Sequence, residues 1–68
     1  MVKINAVPKY IFNPRYGFNY VIVMKMTDGS LLYQRACKTM KEANRRMNIL
    51  KGWHGDKFEV YFLNEIVQ

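Results

Sequence analysis

The fold is decided by residues 39–63, which read TMKEANRRMNILKGWHGDKFEVYFL. This stretch opens with a capping box, in which the Thr39 hydroxyl accepts from the Glu42 backbone N–H and the Glu42 carboxylate accepts from the Thr39 N–H. A helix is therefore predicted to begin at Met40. Gly52 stands where a residue in the left-handed conformation would end that helix.

The predicted helix has one apolar and one polar face. Its apolar side chains recur at three- and four-residue intervals and share a stripe that we expect to face the core. They are Met40, Ala43, Met47 and Leu50. The opposite face is mostly charged, with one isoleucine at its centre. It carries Lys41, Glu42, Arg45, Arg46, Asn48 and Ile49.

Alternating apolar and polar residues predict the strands around this helix. Residues 18–26 are apolar on both faces, which favours a central strand. Asp28-Gly29 is a hairpin signal, and residues 31–37 are expected to return antiparallel. Residues 57–63 alternate in the same way and give a strand after the helix. Residues 1–7 could form a further short strand, but the sequence does not decide this.

These elements predict a single domain over residues 1–68 with an α+β fold. We expect a three- to four-stranded antiparallel sheet with one helix packed on one face, in the order β(β)βαβ. A single helix covers only part of a sheet, so the other face, including Val21 and Val23, is expected to stay open. An open apolar face of this kind is suited to a homodimer.

The charge of the chain points to an anionic partner. Eleven Lys and Arg against five Asp and Glu give a formal net charge of +6. Such an excess attracts polyanions, of which nucleic acid is the commonest, while an acidic protein surface is the other candidate. The alternative explanation is that the charge only keeps a small domain in solution.

The cellular setting is predicted from what the sequence lacks. Cys37 is the single cysteine, so no internal disulfide can form, which favours a reducing compartment. The first residues do not resemble a signal peptide, and no apolar run approaches the roughly 18 residues of a membrane span. A cytoplasmic protein with no membrane partner is expected.

Groups for catalysis or metal binding are sparse. His54 is the single histidine, and no motif joins it to Cys37 as a nucleophilic pair. No zinc or calcium spacing and no glycine-rich phosphate loop is present. We therefore expect no enzyme, no catalytic residue, no metal and no cofactor. A metal-independent ribonuclease toxin that uses Arg, Lys and Tyr is the minor alternative.

Binding residues are better supported. The basic helix face can reach consecutive phosphates, its asparagine can meet a base edge, and its isoleucine suggests contact with a partner. At the turn of residues 13–17, an arginine and a tyrosine are suited to stacking on unpaired bases, and a tryptophan after the helix is a typical interface residue. The alternatives are a solvated helix face and aromatic rings that belong to the core. The predicted partner-binding residues are Arg15, Tyr16, Lys41, Arg45, Arg46, Asn48, Ile49 and Trp53.

The plan of the chain from Phe18 to Leu63 resembles very small phage-encoded proteins that take over or inhibit host enzymes. The resemblance consists of the Asp28-Gly29 hairpin, the Thr39-x-x-Glu42-Ala43 helix start and the Phe58-x-Val60 strand. It implies a protein inhibitor that binds a host polymerase, nuclease or CRISPR effector complex. Many such inhibitors are acidic mimics of DNA. This chain is basic, so the resemblance implies binding to an acidic protein surface or to a bound nucleic-acid strand.

The sequence thus favours a small, basic, non-enzymatic binding module whose partner is nucleic acid or a nucleic-acid-bound complex. The phage-type inhibitor of a nucleic-acid enzyme is the alternative.

Overall fold

A computed structural model describes residues 1–67, in which three strands and one helix are the main elements. Strand β1 spans Tyr20–Lys25, β2 Leu31–Cys37, α1 Met40–His54 and β3 Phe58–Phe62. The strands form one antiparallel sheet in the spatial order β2-β1-β3, with α1 on one face. The predicted α+β fold with an antiparallel sheet and one helix is confirmed. Residues 1–7, all described, contribute only isolated bridges at Val2 and Asn5.

The β1–β2 hairpin closes through a three-residue loop. The Met26 N–H donates to the Ser30 carbonyl at 2.8 Å, and the Gly29 N–H donates to the Met26 carbonyl at 3.0 Å. Gly29 has a φ of 87°, the left-handed conformation that this type of loop requires at its last position. Asp28 Oδ1 accepts from the Ser30 N–H at 2.9 Å and from its hydroxyl at 2.6 Å, which lowers the pKa of Asp28.

A β-bulge interrupts the hairpin register. Ile22 pairs with Arg35, whereas the next residue, Val23, pairs with Tyr33, so Gln34 has no opposite partner. The extra residue changes which β2 side chains share a face. Arg35 is thereby placed opposite Ile22, on the side of the sheet that α1 covers.

The helix covers one half of the hydrophobic core. Ile22, Cys37, Ala43 and Phe58 are buried there. Partly buried side chains pack around them: Tyr20, Met24, Met47, Leu50 and Val60. The predicted apolar stripe thus faces the sheet, apart from Met40 in the first turn, which is 40% exposed.

The opposite sheet face is covered, so the prediction of an open apolar face was wrong. Val21 and Val23 are fully buried in a cluster with residues from the two ends of the chain and from β2. The other buried members are Ile4, Ile11, Ala36 and Ile66. The residues that suggested the homodimer are therefore buried within the described chain, and the homodimer itself stays a prediction.

Backbone hydrogen bonds hold these covering segments in place. The Asn5 N–H donates to the Leu31 carbonyl at 2.8 Å, and the Tyr33 N–H donates to the Asn5 carbonyl at 3.0 Å. The Val67 N–H donates to the Val2 carbonyl at 2.8 Å. The N-terminal segment is thus bonded to the edge of β2 and to the C-terminal tail, and it carries Ile4 under the sheet.

The helix begins where predicted and ends later. Thr39 Oγ1 accepts from the Glu42 N–H at 3.1 Å, whereas the Glu42 carboxylate accepts from the Lys38 N–H at 3.4 Å instead of from Thr39. The helix continues through Gly52, so the predicted end at that residue was wrong. It ends at Gly55, which has a φ of 80° and donates its N–H to the Lys51 carbonyl at 2.9 Å.

Candidate functional site

The outer face of α1 carries a row of polar and basic side chains. Lys41, Arg45 and Asn48 are exposed and follow one another at four- and three-residue spacing, so they lie on one side of the helix. Gly52 continues this row by a further four residues. We call Lys41, Arg45 and Asn48 the basic row.

A second row runs beside the first and mixes charge with apolar surface. Arg46, Ile49 and Trp53 are three and four residues apart, which places them along one helix ridge. Ile49 is 46% exposed and Trp53 is 81% exposed, while Arg46 is half-buried. We call these three residues the mixed row. The structure brings together all the predicted helix residues and Trp53 on one continuous surface.

The charges on this surface have no ionic partner within the described chain. Among residues 1–67, Lys25 and Glu59 form the only ion pair. Within residues 1–67, Lys41, Arg45 and Arg46 therefore form no salt bridge, and Glu42 is the one acidic side chain among them on the helix. The positive potential of the helix face is open to an external anion.

Charged groups from α1 and β2 act on the buried Cys37 thiol. Burial raises the pKa of the Cys37 thiol, and the charge of Glu42 adds to this, whereas Arg35 and Arg46 oppose it. Arg35 of β2 and Arg46 of α1 thus both act on the thiol through their charge. Arg35 was missed as a site residue because the bulge at Gln34, which sets its side of the sheet, leaves no mark in the sequence.

The aromatic turn forms a separate surface. Asn13 Oδ1 accepts from the Arg15 N–H at 3.0 Å and caps a short 3-10 helix, Pro14–Tyr16. Tyr16 stacks on Phe18 with ring centroids 6.3 Å apart, and Tyr10 meets the Tyr16 ring edge-on at 5.8 Å. Tyr10 and Tyr16 are 54% and 47% exposed. Sequence reasoning selected Tyr16 but not Tyr10.

This turn lies apart from the helix surface. Phe18 packs against the cluster on the sheet face opposite α1. Arg15 and Tyr16 are therefore not brought together with the basic row, and the predicted site residues divide into two surfaces.

The two side chains considered as a nucleophilic pair lie far apart. Cys37 is buried just before the start of α1, whereas His54 is the last residue of α1. The centroid of the His54 ring lies 5.9 Å from that of Phe58. A helix of this length separates its ends by about 20 Å. Direct proton transfer between the two side chains is excluded by this distance.

Within residues 1–67, no group of three His, Cys, Asp or Glu side chains is placed to hold a metal ion. No helix in the same range combines the length and apolar character needed to cross a bilayer.

Comparisons of the chain with protein-family models, curated proteins and solved structures gave no match.

Proposed function

We propose that the protein is a non-enzymatic binding module that engages nucleic acid through the outer face of α1. The observation that carries this proposal is the set of cations Lys41, Arg45 and Arg46 on one helix surface, without an ionic partner among residues 1–67. The formal net charge of +6 acts in the same direction. Attraction to phosphates is long-range and needs no particular base sequence.

The basic row supplies two kinds of contact. Lys41 and Arg45 are one helical turn apart, so both can approach phosphates of one strand. Asn48 follows on the same side, where its amide can both donate to and accept from a base edge. Phosphate contacts of this kind position a ligand, whereas base contacts select among sequences.

A salt titration with two matched double variants tests the proposal. Labelled duplex and single-stranded oligonucleotides are titrated with protein at two salt concentrations and followed by anisotropy. The site variant is Lys41→Gln/Arg45→Gln. The control is Lys3→Gln/Lys9→Gln, which removes the same charge from exposed positions of the N-terminal segment.

Two results are expected. Affinity should fall with salt, with a log–log slope of about 0.9 per phosphate contacted on duplex DNA and about 0.7 on single strands. The site variant should make that slope clearly shallower, whereas the slope of the control variant should stay close to that of the wild type. Absence of binding at low salt would refute the proposal. An equal loss of affinity in both double variants would show that α1 is not the binding surface.

Binding to a protein is the second candidate, favoured by the exposed apolar side chains of Ile49 and Trp53. An acidic surface on a nucleic-acid enzyme would satisfy both these residues and the nearby arginines. A pull-down from bacterial lysate that has been treated with nuclease tests it. Retention of a protein by the wild type and its loss with Ile49→Ala supports this candidate, and recovery of no protein opposes it.

A further inference from the structure

The last turn of α1 exposes the largest side chain of the protein. Trp53 is the chain's single tryptophan and is 81% exposed. A tryptophan usually buries most of its surface, because its ring is the largest apolar group that a residue offers. Ile49 lies one turn earlier on the same ridge, and helical side chains lean toward the N-terminus, so Trp53 leans toward Ile49.

Gly52 directly precedes this tryptophan in the last turn of α1. The residue lies inside the helix, and, apart from its two chain neighbours and the helix's own backbone, a Cβ built on it would meet no atom within 4 Å. Its backbone is not in the left-handed region that favours glycine, unlike Gly55. Glycine weakens a helix interior, and here neither a close contact nor a backbone constraint of the fold explains it. Because Gly52 continues the basic row, its missing side chain leaves the last turn of that row bare.

Positive charge lies two turns before this position on the same helix surface. Arg45 lies two turns before Gly52 on its own side of the helix, and Arg46 lies two turns before Trp53, a separation of roughly 11 Å along the axis. A ligand that contacts Trp53 therefore extends toward cations that have no ionic partner among residues 1–67.

We infer that the ligand of this surface is single-stranded nucleic acid, with an unpaired base stacked on Trp53 above Gly52 and the adjoining phosphates held by Arg45 and Arg46. The inference rests on the proposed function and specifies its substrate class. An exposed aromatic ring on the same surface as cations without ionic partners is the combination with which proteins hold single strands. In a duplex, the faces of the bases are covered by their neighbours and cannot stack on a side chain.

Emission from Trp53 reports the contact directly, because the chain has no other tryptophan. Stepwise addition of oligo-dT or oligo-U should quench and shift this emission. A duplex of the same length, added at the same phosphate concentration, should change it much less. Quenching by the duplex to the same extent would overturn the inference.

Variants at Trp53 measure how much the stacking contributes. Trp53→Ala should weaken binding of labelled oligo-dT by about fivefold or more, and Trp53→Phe should stay within about threefold of wild type, because any aromatic face can stack on a base. Duplex affinity should change little in either variant. An unchanged affinity of Trp53→Ala for oligo-dT would refute the stacking role.

Variants at Gly52 test the open space. Gly52→Leu places a bulky side chain where the base is expected, while Gly52→Ala adds only a methyl group, and neither meets a neighbouring atom at its Cβ. Single-strand binding should fall in Gly52→Leu and persist in Gly52→Ala, with circular dichroism confirming that both are folded. Equal affinity of the two variants would contradict a base seated at Gly52.

The outcomes separate the inference from the proposed function. Salt-dependent duplex binding without any effect of Trp53 variants would leave the proposed function standing and overturn the inference. No binding to either form of nucleic acid would overturn both. Binding of a protein partner alone, lost in Trp53→Ala, would assign the tryptophan to a protein interface and overturn the inference as well.

Discussion

Lys25 Nζ lies 2.7 Å from Glu59 Oε1, joining the end of β1 to β3. The second oxygen of Glu59 accepts from the Tyr61 hydroxyl at 2.6 Å. The hydrogen bond from Lys25 lowers the pKa of Glu59, with a further contribution from Tyr61, and the same carboxylate raises the pKa of Tyr61. Glu59 is the one carboxylate of residues 1–67 that forms an ion pair, and this network lies away from α1.

The Glu59 network predicts how stability depends on pH. A carboxylate whose pKa is lower in the folded state than its ordinary value of 4.5 stabilises the fold above pH 4.5 and loses that contribution as pH falls through the lower value. Because both partners are partly exposed, we expect only about 0.2–1 kcal/mol. Urea unfolding at pH 7 and pH 3 should show a smaller pH dependence in Glu59→Gln than in wild type. An unchanged dependence would show that the pair contributes nothing.

The covered sheet face predicts a large difference between two isoleucines. Ile11 is fully buried against the sheet, whereas Ile49 is 46% exposed on α1. Ile11→Ala should reduce the free energy of unfolding by about 2–5 kcal/mol, because it removes buried methyl groups and leaves a cavity. Ile49→Ala, the same change at the surface, should stay within about 0.5 kcal/mol. Equal losses in urea unfolding would contradict the placement of the N-terminal segment under the sheet.

The cap at Thr39 predicts a local effect on α1. Thr39→Ala removes the acceptor of the Glu42 N–H and should cost about 1 kcal/mol of stability. Thr27→Ala, in the exposed hairpin loop, is the matched control and should be close to neutral. Thermal unfolding followed by circular dichroism at 222 nm compares them. A cost at Thr27 equal to that at Thr39 would argue against the cap.

Local signals predicted the helix start and the hairpin loop, whereas non-local contacts decided what covers the sheet. The cap at Thr39 and the loop at Gly29 depend on residues within one turn of each other, so the sequence predicted both. The path of the N-terminal segment depends on the Asn5 bridge to β2, which no short pattern marks. Ala6 turns that segment with a φ of 65°, a conformation typical of glycine or asparagine and not expected from alanine.

The candidate site was predictable for the same reason as the helix. Three- and four-residue spacing put Lys41, Arg45 and Ile49 on the solvent side, and the structure places them there. The sequence left two alternatives for Trp53, an exposed position after the helix or one that closes the core, and the structure shows it exposed but inside the helix. One further turn of helix carries it into solvent.

The two glycines near the end of α1 should respond in opposite ways to the same substitution. Gly52 has helical neighbours and open space around its Cβ position, so Gly52→Ala should raise the free energy of unfolding by roughly 0.5–1 kcal/mol. Gly55 has a φ of 80° and a ψ of −158°, a region open essentially only to glycine. Gly55→Ala should therefore destabilise the protein by about 1–3 kcal/mol. Urea unfolding of both variants measures the difference. Destabilisation by Gly52→Ala would mean that the helix does end at Gly52, because only a residue in the left-handed conformation there would make the added methyl group unfavourable.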